Sequence, residues 1–149
     1  MIIYFDTSAL VKLYVKEKNS AQVESLVESG EITAGSTVIT QVEMASALQR
    51  SVASTSKPSE AFNENWLEFI NDWQSFVRFQ VNDDTIEKAS QLAWTYKLRG
   101  YDSLHLAAAL LWREAVNESI TLATFDRELW AAAKKAGLEA WPEGLVEME

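Results

Sequence analysis

Ile2-Ile3-Tyr4-Phe5-Asp6-Thr7-Ser8-Ala9-Leu10 sets an apolar, β-branched and aromatic run against an acid, and the acid against a helix-compatible segment. A run this short and this apolar is a strand buried on both faces, with a helix following over residues 8–15. The same grammar returns late in the chain. Residues 119–124, Ser-Ile-Thr-Leu-Ala-Thr, read as a strand, and Asp126 follows almost at once as the start of a helix over 126–136, ended by Gly137. Between them lie a weak strand at 31–34 and a strand at 77–81, and residues 138–141 are the candidate for a last one. The helices expected between strands are a stripe of Val23, Leu26 and Val27 stopping at Gly30, then 40–52, 59–76, 84–98 and a buried 102–116. Asp84-x-x-Glu87 reads as a capping box, with Gly100 past the end of that helix.

Strands alternating with helices imply an α/β fold, a central and mostly parallel sheet covered on both faces. Ligands of such folds sit beyond the carboxyl ends of the strands. Asp6 and Asp126 follow strands, and Glu43 and Asp102 fall in the first turns of their helices. All four acids can therefore face one edge of one sheet.

Composition narrows the chemistry. A chain of 149 residues fits one domain, 1–149, and shows no internal repeat. The absence of cysteine removes disulfides, zinc-thiolate sites and a thiol nucleophile. The only histidine is His105, so no site with several His ligands can be built. His105 lies in a very apolar segment one turn after Asp102. That suits a structural or supporting role better than a Ser–His–Asp triad. No phosphate-binding glycine loop is present. The first residues carry no secretory pattern and no stretch is long enough to cross a membrane, so a cytoplasmic protein is expected. The net charge of −9 disfavours an ordinary nucleic-acid-binding module, but disfavours less a nuclease whose metal ions meet the phosphate. It also suits a basic partner.

Each acid has a plain structural explanation. Asp6, Asp102 and Asp126 stand where an N-cap belongs, and Glu43 completes the box Thr40-x-x-Glu43; a cap is worth about 0.5–2 kcal/mol. Convergence changes the balance. Two carboxylates about 4 Å apart repel by roughly 4 kcal/mol at an effective dielectric near 20. A pocket holding several survives by protonation or by a cation. With no soft ligand available, Mg²⁺ or Mn²⁺ is the natural cation, and a phosphoryl substrate follows from it. The Trp residues mostly sit at core spacing, with Trp66 and Trp73 alternatively lining a partner groove.

Four stretches carry a family resemblance: Phe5-Asp6-Thr7-Ser8-Ala9-Leu10, Thr40-Gln41-Val42-Glu43-Met44, Gly100-Tyr101-Asp102-Ser103-Leu104-His105-Leu106-Ala107-Ala108-Ala109, and Leu122-Ala123-Thr124-Phe125-Asp126-Arg127-Glu128-Leu129. In this order, across nearly the whole chain, they resemble PIN domains, and most of all the VapC-type toxins of prokaryotic toxin–antitoxin pairs. The resemblance implies an α/β/α sandwich and divalent-metal-dependent RNA cleavage. It implies Asp6, Asp102 and Asp126 as Mg²⁺ (or Mn²⁺) ligands and Glu43 as the acid holding metal or attacking water. Ser8 and Thr124 become the small polar residues that orient these carboxylates. A homodimer and a cognate antitoxin with a basic tail complete the expectation. The aromatic stretch 61–79 is the departure from the pattern. A non-catalytic PIN-like module binding a basic partner is the alternative. A phosphatase of the haloacid-dehalogenase kind is disfavoured because Ser8 stands where that family needs its second Asp.

Overall fold

The computed structural model describes residues 1–147; Met148 and Glu149, the end of the expected domain, lie outside the described residues. Its centre is the apolar opening run. Strand β1, Ile2–Phe5, sits in the middle of a five-stranded sheet of order β3-β2-β1-β4-β5, with β2 Thr33–Thr37, β3 Val77–Phe79, β4 Thr121–Ala123 and β5 Glu139–Trp141. The pairings are all parallel, with β1 registered Tyr4 to Gly35 on one side and Tyr4 to Leu122 on the other. A middle position explains the lack of polar residues in β1: both faces of a central parallel strand are covered.

Alternation along β1 divides the core. Ile3 and Phe5 point into a cluster with Leu10, Met44, Leu48, Phe69 and Trp73. This face is built by α1 (Thr7–Leu10), α2 (Ser20–Glu28), α3 (Ile39–Val52) and α4 (Pro58–Trp73). Tyr4 points the other way, into a cluster with Leu106, Trp112, Leu122, Leu129 and Leu138. That face belongs to α5 (Asp83–Tyr96), α6 (Gly100–Val116) and α7 (Arg127–Lys135). The product is the expected α/β/α sandwich. Among the described residues no helix is long and apolar enough to cross a membrane.

Several boundaries differ from the sequence reading, each for a physical reason. The helix expected over 8–15 is a single α-turn, α1, that tightens into a 3₁₀ turn over Val11–Leu13. The strand expected at 31–34 begins later and runs through Gly35, Ser36 and Thr37. Those hydroxyls are buried, and Ser36 donates to the carbonyl of Phe5 at 2.6 Å and meets Thr40 Oγ1 at 2.6 Å. Thr40 is therefore occupied inside the core, α3 starts at Ile39 with no side-chain cap, and the box Thr40-x-x-Glu43 does not form. Nor does Asp84-x-x-Glu87: Asn82 caps α5, accepting from the amide of Thr85 at 3.0 Å. The left-handed residue ending α5 is Lys97 at φ 55°, not a glycine, and Gly100 opens α6 instead. That opening places Asp102 inside the first turn of α6, not at its cap. Gly137 does end α7 as expected, at φ 86°, with the paired 5→2 and 6→1 bonds of a Schellman turn. Trp73 is core; Trp66 is half-buried and tilts against Phe69.

Candidate active site

The strand order reverses at β1: β2 and β3 are laid down to one side, β4 and β5 to the other. At such a switch point the helices leaving the two neighbouring strands go to opposite faces, and a crevice opens beyond their carboxyl ends. Asp6 stands there because it is the residue after β1, its amide still donating to Ala123 of β4 at 3.1 Å. Its side chain is nearly inaccessible, 4% exposed, and caps α1 through the amide of Ala9 at 3.2 Å.

Two hydroxyls fix Asp6. Ser8 donates to Oδ1 at 2.7 Å, and Thr124 donates to Oδ2 at 2.8 Å from across 118 residues of chain. The same two oxygens accept from the turn after β4: the Phe125 amide donates to Ser8 Oγ at 2.9 Å and the Asp126 amide to Thr124 Oγ1 at 3.0 Å. Asp6 is thus held rigid, and the loop carrying Asp126 is fastened to it. Asp126 also caps α7, accepting from the Leu129 amide at 2.9 Å through Oδ1, while Oδ2 is turned towards Arg99.

Asp102 and Glu43 arrive from helices on opposite faces of the sheet. Asp102, in the first turn of α6, lies 3.6 Å from Arg99 Nε, and Asp126 lies 3.4 Å from the same guanidinium. Glu43, the fifth residue of α3, takes Nε2 of His105 at 2.7 Å. The four acids line one cleft of about 640 Å³, together with Thr7, Ser8, Arg50, Tyr101 and His105. All sequence-derived acids are therefore brought together, and Ser8 and Thr124 bond to the most buried of them. The sequence reading left His105 without a partner and did not single out Tyr4, whose hydroxyl meets His105 Nδ1 at 2.8 Å. The signal for that link was present: Tyr4 and Asp6 are two apart on one strand, and His105 is one turn after Asp102.

The electrostatics follow the crowding. Burial first, then the neighbouring charges of Asp126 and Asp6, push the Asp102 carboxyl up to about 6, against the pull of Arg99 and His105. Burial also raises Asp6, although His105, Ser8, Thr124 and the Ala9 amide all favour its charge. Glu43 behaves oppositely. Burial works against its charge, but the bond and charge of His105 prevail and hold the carboxyl below its ordinary range. The His105 ring is raised in turn, the Glu43 bond and the charges of Asp6 and Asp102 outweighing its burial.

The donor set fits a hard divalent cation. It is all oxygen, carboxylates and hydroxyls, in a cleft where like charges raise one another. Thr7 Oγ1 is buried in the cleft wall beside Glu43, whose charge it favours, and makes no well-formed hydrogen bond among the described residues. Among the described residues no three His, Asp or Glu side chains form a ready-made cage.

The PIN domain family model matches residues 3–135, from β1 through α7. The chain belongs to the PIN domain family. Among proteins with curated names, it is 28% identical to "Ribonuclease VapC49" of Mycobacterium tuberculosis over 148 residues, covering 97% of each chain. Among solved structures, the PIN fold seen here resembles that of FitAcB from Neisseria gonorrhoeae at a TM-score of 0.65 and 17% identity, covering 94% of this chain and 96% of that one. It also resembles VapBC2 from Rickettsia felis, solved on a DNA fragment from its promoter, at a TM-score of 0.58 and 18% identity, covering 95% and 100%.

Proposed function

We propose that this PIN domain is a Mg²⁺- or Mn²⁺-dependent endoribonuclease and the toxin of a toxin–antitoxin pair, working in the cytoplasm. One observation carries the reading: Asp6, Glu43, Asp102 and Asp126, from four separate elements, line a single cleft at the sheet's switch point. The near-full-length likeness to a VapC ribonuclease supports the substrate class. The toxin–antitoxin complexes among the structural neighbours support a cognate antitoxin, whose basic tail would complement the acid cleft.

Asp6, Asp102 and Asp126 are the residues to hold the cation. When bound, it supplies charge to the scissile phosphate and lowers the pKa of a coordinated water. The chain does the rest. Ser8 and Thr124 fix Asp6, so its carboxylate need not reorganise. Glu43, kept ionised by His105, is the acceptor that orients the attacking water and takes its proton. Arg99, shared by Asp102 and Asp126 in this structure, would be available to a substrate phosphate if those carboxylates held a cation. The groove beside the cleft, lined by Ile86, Ala89, Ala93, Tyr101 and Leu104, supports the expected homodimer, because Ile86 and Tyr101 are exposed there.

Incubation of the folded chain with mixed RNA, with Mg²⁺ or with EDTA, tests the proposal. Cleavage only with the metal is expected. Intact RNA in both tubes, with tight capture of a basic partner and no divalent-ion binding, would establish the non-catalytic alternative.

A further inference from the structure

His105 is the only histidine of the chain and, although it borders the cleft, is only 2% exposed. Both ring nitrogens are nevertheless spent on other side chains. Nδ1 meets the Tyr4 hydroxyl at 2.8 Å and Nε2 meets Glu43 Oε1 at 2.7 Å. Tyr4 lies edge-on to the ring, centroids 5.8 Å apart. A ring flip would set carbon against both partners, so a single orientation is held.

We propose that His105 is the positioning residue of Glu43: anchored by Tyr4, it clamps Oε1 and so fixes how the carboxylate faces water in the cleft. The proposal rests on the role given to Glu43 above. Its logic is independent of the charge on the ring. In the neutral ring, ionised Glu43 can only accept, which places the hydrogen on Nε2 and leaves Nδ1 to accept from the Tyr4 phenol. In the imidazolium both nitrogens carry hydrogens, and Nε2 still donates to Glu43. Either way the carboxylate receives one fixed hydrogen bond on one fixed oxygen. The clamp also ties three elements of the site together, since β1 supplies Tyr4 and leads into Asp6, α6 supplies His105 and Asp102, and α3 supplies Glu43. A side chain that orients an acid without touching the reaction acts on kcat rather than on substrate binding, as partners of metal-site ligands do, with losses of about 10–100-fold.

Two arms test it. In the kinetic arm, His105→Ala is expected to lower kcat about 10–100-fold at unchanged KM. His105→Gln, whose amide can still donate to Glu43, should recover part of it, and Tyr4→Phe should lose a few-fold. In a Glu43→Ala background His105→Ala should cost nothing more, because the clamp has nothing left to hold. The same loss in both backgrounds would reduce His105 to a fold-stabilising residue, as would unchanged kcat in His105→Ala. The second arm needs no turnover and no His105 variant. Nitrogen-15 NMR of the single imidazole should show a hydrogen on Nε2 in slow exchange, becoming fast in Glu43→Ala. If Nε2 carries no hydrogen, or is indifferent to Glu43→Ala, the clamp is wrong even in an active ribonuclease. If the ring obeys but no RNA is cut, the clamp stands as geometry, its catalytic half is overturned, and the nuclease reading falls.

Discussion

At the scale of residues, the balance between Asp6, Asp102 and Asp126 sets the behaviour of the cleft. Replacement of Asp6 or Asp102 by Asn should abolish RNA cleavage while leaving the circular dichroism spectrum unchanged; turnover in both variants would remove them from the chemistry. Asp102 makes a further prediction. Its folded pKa, about 6, lies above the ordinary value of 3.8, so the folded state favours its protonated form. The stability this contributes is complete below about pH 4 and is lost as the pH rises through 6. Above pH 6 the ionised Asp102 strains the fold, and Asp102→Asn should be more stable than the parent by about 1 kcal/mol in denaturant at pH 7.5, the gain vanishing near pH 4. Metal binding runs the other way: the cation must displace that proton, so apparent Mg²⁺ affinity should fall about tenfold per pH unit below 6. An affinity unchanged from pH 7 to 5 would detach Asp102 from the cation. The acids were legible in the sequence because each closely follows a strand or opens a helix. What they bond to was less so: Glu43 read as half of a capping box, and only the burial of Thr40 against Ser36 shows why it is free to take His105.

At the scale of elements, β1 and β4 could be read from their apolar runs, whereas β2 was read only as a weak strand at 31–34, ending three residues early. Thr33-Ala34-Gly35-Ser36-Thr37 has neither alternation nor large side chains, yet it is a core strand because α6 lies directly on it. A Cβ on Gly35 would stand 2.6 Å from Cζ3 of Trp112 and 3.0 Å from the carbonyl of Val77. Gly35→Ala should therefore destabilise by about 1–3 kcal/mol, as overpacking does, and Trp112→Phe should partly restore it. Thermal melting of the single and double variants reads this directly, and an additive pair would mean that Trp112 is not what Gly35 makes room for. The helix ends were misread for related reasons. Lys97 turns left-handed where a glycine would be cheaper, and Gly100 serves to start α6, which puts Asp102 one turn from its own helix end and level with the cleft.

At the scale of the whole molecule, the acidic total sets how substrate is met. With a net charge of −9 the chain repels a polyanion in bulk, and Arg50 is the basic group in the lining of the acid cleft. RNA affinity should therefore be negligible in EDTA, appear with Mg²⁺, and depend only shallowly on KCl. Titration of a labelled, uncleavable RNA at several salt concentrations measures the slope, and strong binding in EDTA would point to a basic surface elsewhere. The exposed apolar residues of α5 and α6 speak to assembly. Trp94 is 88% exposed, on the same helix as Ile86. For the proposed homodimer, Trp94→Glu should shift sedimentation towards monomer without loss of the fold; an unchanged distribution would remove this face from assembly. Composition alone could not have located this surface, since the Trp-rich α4, which drew attention in the sequence, spends Phe69 and Trp73 on the core.

The central strand acquires its two neighbours at very different times. β2 follows β1 closely and leaves the ribosome soon after it, but β4 and Asp126 come more than a hundred residues later, and until they emerge Asp6 lacks Thr124 and half of its crevice. A nascent or truncated chain thus carries no assembled cleft. The cleft is complete only when β4 and the turn after it close against β1.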